Sequence, residues 1–264
     1  MSTPAWKAIR PASGQRPSPT KKFKIKLMGH FSTGTNYLLE VLEANFGAKV
    51  EISENAKGTA TIKGCQFWKH TLLTITKQRE PQRFAQCAQP EWVGLAMVRN
   101  PLAWLQAMKN TGYDLERCVK GADWLTRPCS YPVNVMFGME FPNLPKIWTR
   151  WTQSYEQLST FGFKRSMLIR YEDLILNTSG VLSQVAVLLN LPFRVDDLVQ
   201  VESEARHHES TIPVKDAHAQ AVSKIVGKTY LSKFSSKEFS DACRRLDHEI
   251  MHRLKYRDCD KLTR

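Results

Sequence analysis

Phe23-Lys24-Ile25-Lys26-Leu27-Met28-Gly29-His30-Phe31-Ser32-Thr33-Gly34-Thr35-Asn36 is the stretch that decides the fold. Phe23, Ile25 and Leu27 alternate with lysines, which predicts a strand ending at Gly29. From Thr35 to Phe46 the apolar residues Leu38, Leu39, Val41, Leu42 and Phe46 predict a helix, with Gly47 placed to stop it. Where a strand passes through a polar loop into a helix, backbone N–H groups and the positive helix end converge on one point, a geometry that binds phosphate. Gly34 permits close backbone approach, and the hydroxyls of Thr33 and Thr35 with the Asn36 amide offer neutral donors.

Working outward, short strands are expected around Val50 and Ile52 and over roughly Gln66 to Thr71. Trp92 to Val98 is a continuous apolar run of buried-strand type, and Met167 to Arg170 forms the next strand. Asn100 as N-cap and Pro101 at the first helical position open a helix. Ile147, Trp148, Trp151, Tyr155 and Leu158 mark one face of a helix over about Lys146 to Phe161. Val181 to Leu189 reads as a buried helix, and Ser235 with Glu238 starts a capped helix running to about Tyr256. Alternating strands and helices predict an α/β single domain with a central parallel sheet flanked by helices. Residues 1–22, rich in proline and basic residues, read as a disordered tail before a domain spanning 23–264. Residues 112–145 lack a sustained period and read as an irregular insertion that recognises an acceptor. Its Trp124, Tyr131, Phe137 and Phe141 either stack on a sugar or phenol or pack against the sheet.

A chain of 264 residues with 42% hydrophobic content buries a full core. Its net charge of +13 is uneven: the first 26 residues hold seven Lys or Arg and no acid, so much of the excess belongs to the tail. The balance favours anionic partners, but no nucleic-acid motif accompanies it, and none is expected. With no apolar run of membrane length and no secretory stretch, the reading is a cytoplasmic protein without a membrane span, an organellar transit role for the basic N-terminus being the alternative. The six cysteines show neither zinc spacing nor a dense disulfide framework, so free thiols are expected, with a Cys118–Cys129 bridge as the exception in an oxidising compartment.

The Gly29 to Gly34 spacing matches a P-loop, yet Thr35 and Asn36 stand where a nucleoside-triphosphate site needs Lys and Ser/Thr. Neither the phosphate-neutralising cation nor the Mg²⁺ hydroxyl is present, which disfavours a P-loop nucleotide kinase and predicts chemistry without metal.

Thr33-Gly34-Thr35-Asn36-Tyr37-Leu38 resembles the Ser-Gly-Thr loop that opens sulfotransferases using 3′-phosphoadenosine 5′-phosphosulfate (PAPS). Arg99-Asn100-Pro101 is similar to that family's 3′-phosphate motif, and Tyr171-Glu172-Asp173-Leu174 to its Tyr-Glu-Asp motif. The resemblance spans roughly Lys24 to Tyr256 and implies PAPS as co-substrate and a small-molecule or glycan acceptor. It places Ser32, Thr33, Gly34, Thr35 and Asn36 on the 5′-phosphosulfate, Arg99 on the 3′-phosphate and Tyr171 near the adenine. Lys228 stands as a distal basic residue around the 3′-phosphate or as a solvated lysine. From the residues alone, Arg99 at the end of a buried strand suits a phosphate or an internal carboxylate. Glu172 and Asp173 read as caps or as braces for Arg170. Lys69-His70-Thr71 resembles the family's Lys-Thr-His segment, making His70 the candidate base, with Glu40 or an acid of the insertion as runner-up. If that segment is a strand, Lys69 and His70 face opposite sides. Two family positions differ: Ser32 replaces the basic residue that steadies the leaving group, and Ala107 replaces a serine on the 3′-phosphate. A non-catalytic nucleotide-binding protein of the same fold is therefore the alternative.

Overall fold

The computed structural model describes residues 22–53, 65, 67–132, 137–201 and 214–260; the expected tail, save Lys22, lies outside them. The elements run β1 Phe23–Gly29, α1 Thr35–Phe46, β2 Val50–Ile52, α2 Leu73–Arg79, β3 Trp92–Val98, α3 Pro101–Thr111, α4 Glu116–Val119, β4 Cys129–Ser130, β5 Glu140–Phe141, α5 Leu144–Glu156, β6 Arg165–Arg170, α6 Tyr171–Leu176, α7 Thr178–Leu189, α8 Val214–Val226, α9 Ser236–Arg245 and α10 His248–Arg253. Four strands form a parallel sheet in the order β2-β1-β3-β6. β3 is buried along its whole length, as its unbroken apolar run requires when helices cover both faces.

Alternate side chains of the sheet feed two cores. Ile25, Leu27, Val93, Leu95 and Met97 pack with Leu38, Leu42, Leu174 and Leu182 on the face covered by α1, α6 and α7. Met28, Trp92, Ala96 and Val98 pack with Trp104, Leu105, Trp148 and Trp151 on the opposite face. Each fully buried Leu or Phe contributes about 1.5–3 kcal/mol, so these two layers fix the sheet between its helices.

Caps set the helix limits. The Asn100 side chain accepts from the N–H groups of Leu102 and Ala103, Pro101 follows it, and a capping box joins Ser235 and Glu238. Gly47 follows the last residue of α1 with its own backbone still right-handed helical (φ −55°) and its N–H on Glu43 O, so the helix ends there without a left-handed glycine cap. The helix expected to reach Tyr256 breaks at Leu246, and Asp247 caps a second one by accepting from Ile250 N–H. The helix expected to end at Phe161 is α-helical only to Glu156, continuing as a 3-10 turn over Leu158–Phe161.

The strand expected over 66–71 is not formed; Gln66 lies outside the described residues, and Trp68 to Thr71 turn, with Thr71 N–H donating to Trp68 O. β2 pairs only with Phe23 to Ile25 of β1, which leaves the far half of β1 open on that side. The segment lies along this half, where Gly29 N–H donates to Lys69 O and the Lys26 ammonium to Phe67 O at 2.5 Å. It fills the place of a strand without its ladder.

The cysteines also differ from expectation. All six are paired, as Cys65–Cys87, Cys118–Cys129 and Cys243–Cys259. Spacing alone gave no framework because the partners of the first and third bridges meet through tertiary folding. Among the described residues no helix is long and apolar enough to cross a membrane.

Candidate functional site

The strand register brings the three sequence motifs together. Gly29 pairs with Met97, and Val98 with Arg170, so the loop after β1, Arg99 after β3 and Tyr171 after β6 all leave the sheet at one level. The chain passes from β1 to β2 on one side and from β3 to β6 on the other, and the carboxyl ends flanking such a reversal frame the crevice where open α/β sheets bind ligands.

Inside the loop, Gly34 adopts φ +86° and heads α1, a left-handed conformation that favours glycine. A Cβ there would meet Tyr171 Cδ2 at 2.4 Å. Thr33 is buried and donates its hydroxyl to His30 O at 2.7 Å, so it shapes the loop instead of offering the donor expected of it. Thr35 is buried at the first helical position, and Asn36 is half-buried. His30 turns into the core, 2.5 Å from Tyr131 Oη and edge-on to Trp104 and Trp151. Burial first, then the neighbouring His70, holds its imidazole well below the usual histidine range.

Arg99 lies against this loop. Its Nη1 donates to Ser32 O at 3.1 Å, and its guanidinium stands 4.7 Å over the Tyr171 ring. Its buried Nε has no hydrogen-bond partner among the described residues, an orphaned donor facing the costs that usually bring a partner. Tyr171 is therefore wedged between Gly34 and Arg99 and supports both.

Lys69 and His70 both reach the loop, contrary to the opposite-facing arrangement expected of a strand, because they sit on a turn. Lys69 Nζ donates to Asn36 Oδ1 at 3.1 Å, and His70 Nδ1 donates to Gly29 O at 2.5 Å. With Nδ1 so engaged, Nε2 carries the free lone pair. Burial, with Lys69 adding to it, pushes the His70 pKa down to about 3, so the ring is neutral at neutral pH. Trp151 Nε1–H fixes the same residue by donating to His70 O at 2.9 Å. The runner-up Glu40 is buried on α1.

Lys228 is placed elsewhere. Its Nζ bonds Asp258 Oδ1 at 2.5 Å, while Asp258 Oδ2 accepts from Asn100 Nδ2 at 2.6 Å and from Tyr230 Oη at 3.1 Å. Lys228 thus abuts the Arg99-Asn100 corner through a shared carboxylate. Glu172 accepts from Asn100 N–H at 2.8 Å and from Tyr256 Oη at 2.9 Å, with its pKa raised by burial; Asp173 braces Arg170 in an ion pair. Sequence reasoning missed Asp258, an acid near the chain end with no motif around it. The Cys243–Cys259 bridge beside it holds this end of the chain, and spacing did not reveal it either.

Of the insertion aromatics, Trp124 stacks on Phe234 and donates to Glu238, while Tyr131 and Phe141 pack on Trp151. These three are core; Phe137 is exposed. Among the described residues no group of three or more His, Cys, Asp or Glu side chains is placed to hold a metal ion.

No protein-family model matches the chain, and no curated protein does. Among solved structures it is similar to a sulfotransferase domain from the curacin biosynthetic pathway, with 13% identity over 90% of this chain and 99% of that one at a TM-score of 0.41. It is also similar to a sulfotransferase domain from the Synechococcus PCC 7002 olefin synthase, with 12% identity over 84% of this chain and 99% of that one at a TM-score of 0.34. Likeness this distant bears on neither ligand nor chemistry, which rest on the crevice itself.

Proposed function

We propose that this chain is a sulfotransferase that moves a sulfuryl group from PAPS to a hydroxyl acceptor without a metal ion. The observation that carries the reading is Arg99. A permanently charged fork is stacked on Tyr171 and tied to the carbonyl of Ser32, with one buried N–H left over, beside the strand-to-helix loop that Gly34 leads into α1. In this reading the fork takes the 3′-phosphate and the loop at Gly34 the 5′-phosphosulfate. Bound there, PAPS supplies an activated sulfuryl group.

The chain's own residues then divide the work. Lys69, held by Asn36 at the head of α1, places a cation at the loop where Ser32 brings none, to meet charge on the departing bisphosphate. His70, oriented through Nδ1, presents Nε2 to take the acceptor's proton. A second reading, nucleotide binding without turnover, is favoured by the weak basicity of His70.

Adenosine 3′,5′-bisphosphate should raise the melting temperature without Mg²⁺, and Arg99→Ala should weaken that binding roughly 10- to 100-fold, the worth of a charge-assisted hydrogen bond. Stronger stabilisation by MgATP sinks the assignment. Labelled sulfate transfer from PAPS that survives His70→Ala removes His70 as base, and bisphosphate binding with no transfer to any acceptor selects the second reading. The three disulfides support maturation in an oxidising compartment over the cytoplasmic location expected from sequence.

A further inference from the structure

Three rings gather beside His70 at the loop after β1. Phe31, the residue after His30 in the loop, is buried, with its centroid 4.7 Å from the His70 ring. Tyr113 lies parallel to Phe31, with centroids 4.8 Å apart and planes 9° apart. Trp68 meets Phe31 edge-on at 5.4 Å and His70 edge-on at 5.2 Å. Most large aromatics of the chain are buried, yet Trp68 is 38% and Tyr113 42% exposed. Tyr113 also sits at φ +50°, directly after Gly112 at φ +72°. A bulky residue in that region is strained, so the backbone gives up stability to hold an aromatic ring in the open.

We propose that Trp68 and Tyr113 form the acceptor platform, and that the acceptor is an aryl alcohol stacked on them with its hydroxyl directed at His70 Nε2. The inference rests on the sulfotransferase reading and moves acceptor recognition away from Trp124, Tyr131 and Phe141, which the core consumes. A planar ring suits a surface built from Phe31, Trp68 and Tyr113, where offset and edge-on ring contacts are favourable. A sugar would need partners for several hydroxyls, and among the described residues these rings and His70 present the indole N–H, the tyrosine hydroxyl and one imidazole nitrogen.

The base points the same way. His70 is neutral and weakly basic, and a phenol, with a pKa near the tyrosine value of about 10, releases its proton far more readily than an alkyl hydroxyl, whose acidity is close to that of water at about 15.7. In the transfer, an O–S bond forms between the phenolic oxygen and the sulfuryl sulfur of PAPS as the O–H proton passes to His70 Nε2. The S–O bond to adenosine 3′,5′-bisphosphate breaks, and its electron pair leaves on the bisphosphate oxygen.

The test has two arms on the full chain. The first titrates 2-naphthol in the presence of adenosine 3′,5′-bisphosphate, followed by calorimetry. The second measures labelled sulfate transfer from PAPS to 2-naphthol, cyclohexanol and glucosamine. The expected result is naphthol binding and transfer to naphthol ahead of the other two. Trp68→Ala and Tyr113→Ala should each raise the naphthol KM about tenfold, roughly the worth of one ring contact, while Trp68→Phe and Tyr113→Phe retain most of the affinity and bisphosphate binding is unchanged in all four. Bisphosphate binding with no naphthol binding, with preferred transfer to glucosamine or cyclohexanol, or with unchanged KM in both alanine variants overturns the platform alone. Failure of bisphosphate binding in the unaltered protein overturns the donor reading and the platform with it.

Discussion

Gly34→Ala tests the contact on which the crevice is built. The substitution places a methyl group at φ +86°, 2.4 Å from Tyr171 Cδ2 and 2.9 Å from Cε2. The left-handed backbone costs an alanine about 1–2 kcal/mol, and driving back a packed ring costs about 1–3 kcal/mol more. For a domain of this size, the resulting loss of about 2–5 kcal/mol lowers the melting temperature by roughly 4–20 °C. Gly121→Ala is the matched control. Gly121 has φ +91°, but its Cβ would find Asp123 Oδ1 at 3.3 Å and Arg127 Nη1 at 3.6 Å, both ends of side chains that can yield, so only the backbone term of about 1–2 kcal/mol applies. Since Tyr171 carries the Arg99 guanidinium, moving it also misplaces the fork, and adenosine 3′,5′-bisphosphate should bind Gly34→Ala at least about tenfold more weakly. Scanning fluorimetry and calorimetry on both variants decide the matter. If Gly34→Ala melts no lower than Gly121→Ala and binds the bisphosphate equally well, the Gly34–Tyr171–Arg99 stack does not organise the site.

The remaining expectations concern charge and cross-links. Alkylation of the unreduced protein should label no cysteine, and reduction should remove about 3 kcal/mol per bridge for loops of 11, 16 and 22 residues; six labelled thiols in the native protein contradict the pairing. His30 and His70 are both held below the unfolded value of 6.5, so their contribution to stability is full above about pH 6.5 and falls as the solution is acidified toward the folded values. By pH 5 that amounts to at most about 2 kcal/mol each, and urea midpoints should decline less steeply in His70→Gln; an unchanged slope rejects the shift. Asp258→Ala strands donors on Asn100, Tyr230 and Lys228 and should cost about 1–3 kcal/mol in urea denaturation, against near-neutrality if the network is idle. Lys69→Met should lower kcat more than bisphosphate affinity, and adding Ser32→Lys should restore part of it; equal losses in both quantities place Lys69 in ground-state binding.

The parts of this fold that were legible in the sequence are those whose signal is local. β1, α1 and β3 follow from period, and the Asn100 and Ser235 helix starts from side chains acting on neighbouring backbone. The 66–71 segment was not legible because its residues suit a strand, while the decision to turn lies in β2 ending beside Ile25, a fact of the other strand. The disulfides and the Asp258 network were hidden for the same reason, being meetings of segments 11–158 residues apart in sequence. In the site, Arg99, Gly34 and Tyr171 were nameable from motifs. Their wedge-like contact was not, since it depends on three strands ending in register.

That register also answers the shortage of charge in the loop. Ser32 leaves the 29–36 turn without its own cation, and its backbone, at φ +55°, instead turns a carbonyl toward Arg99. A lysine at 32 would join Arg99 across a crevice already positive at the head of α1. The cation comes from the adjoining segment, whose place is fixed by Gly29 N–H on Lys69 O and by the Cys65–Cys87 bridge. A charge carried on a tethered neighbour is oriented by contacts outside the loop, so it holds its place without asking the loop's own backbone, already strained at Ser32, to carry a long side chain. The same tether sets His70 one residue away, so the proposed cation and the proposed base are positioned by a single short stretch of chain.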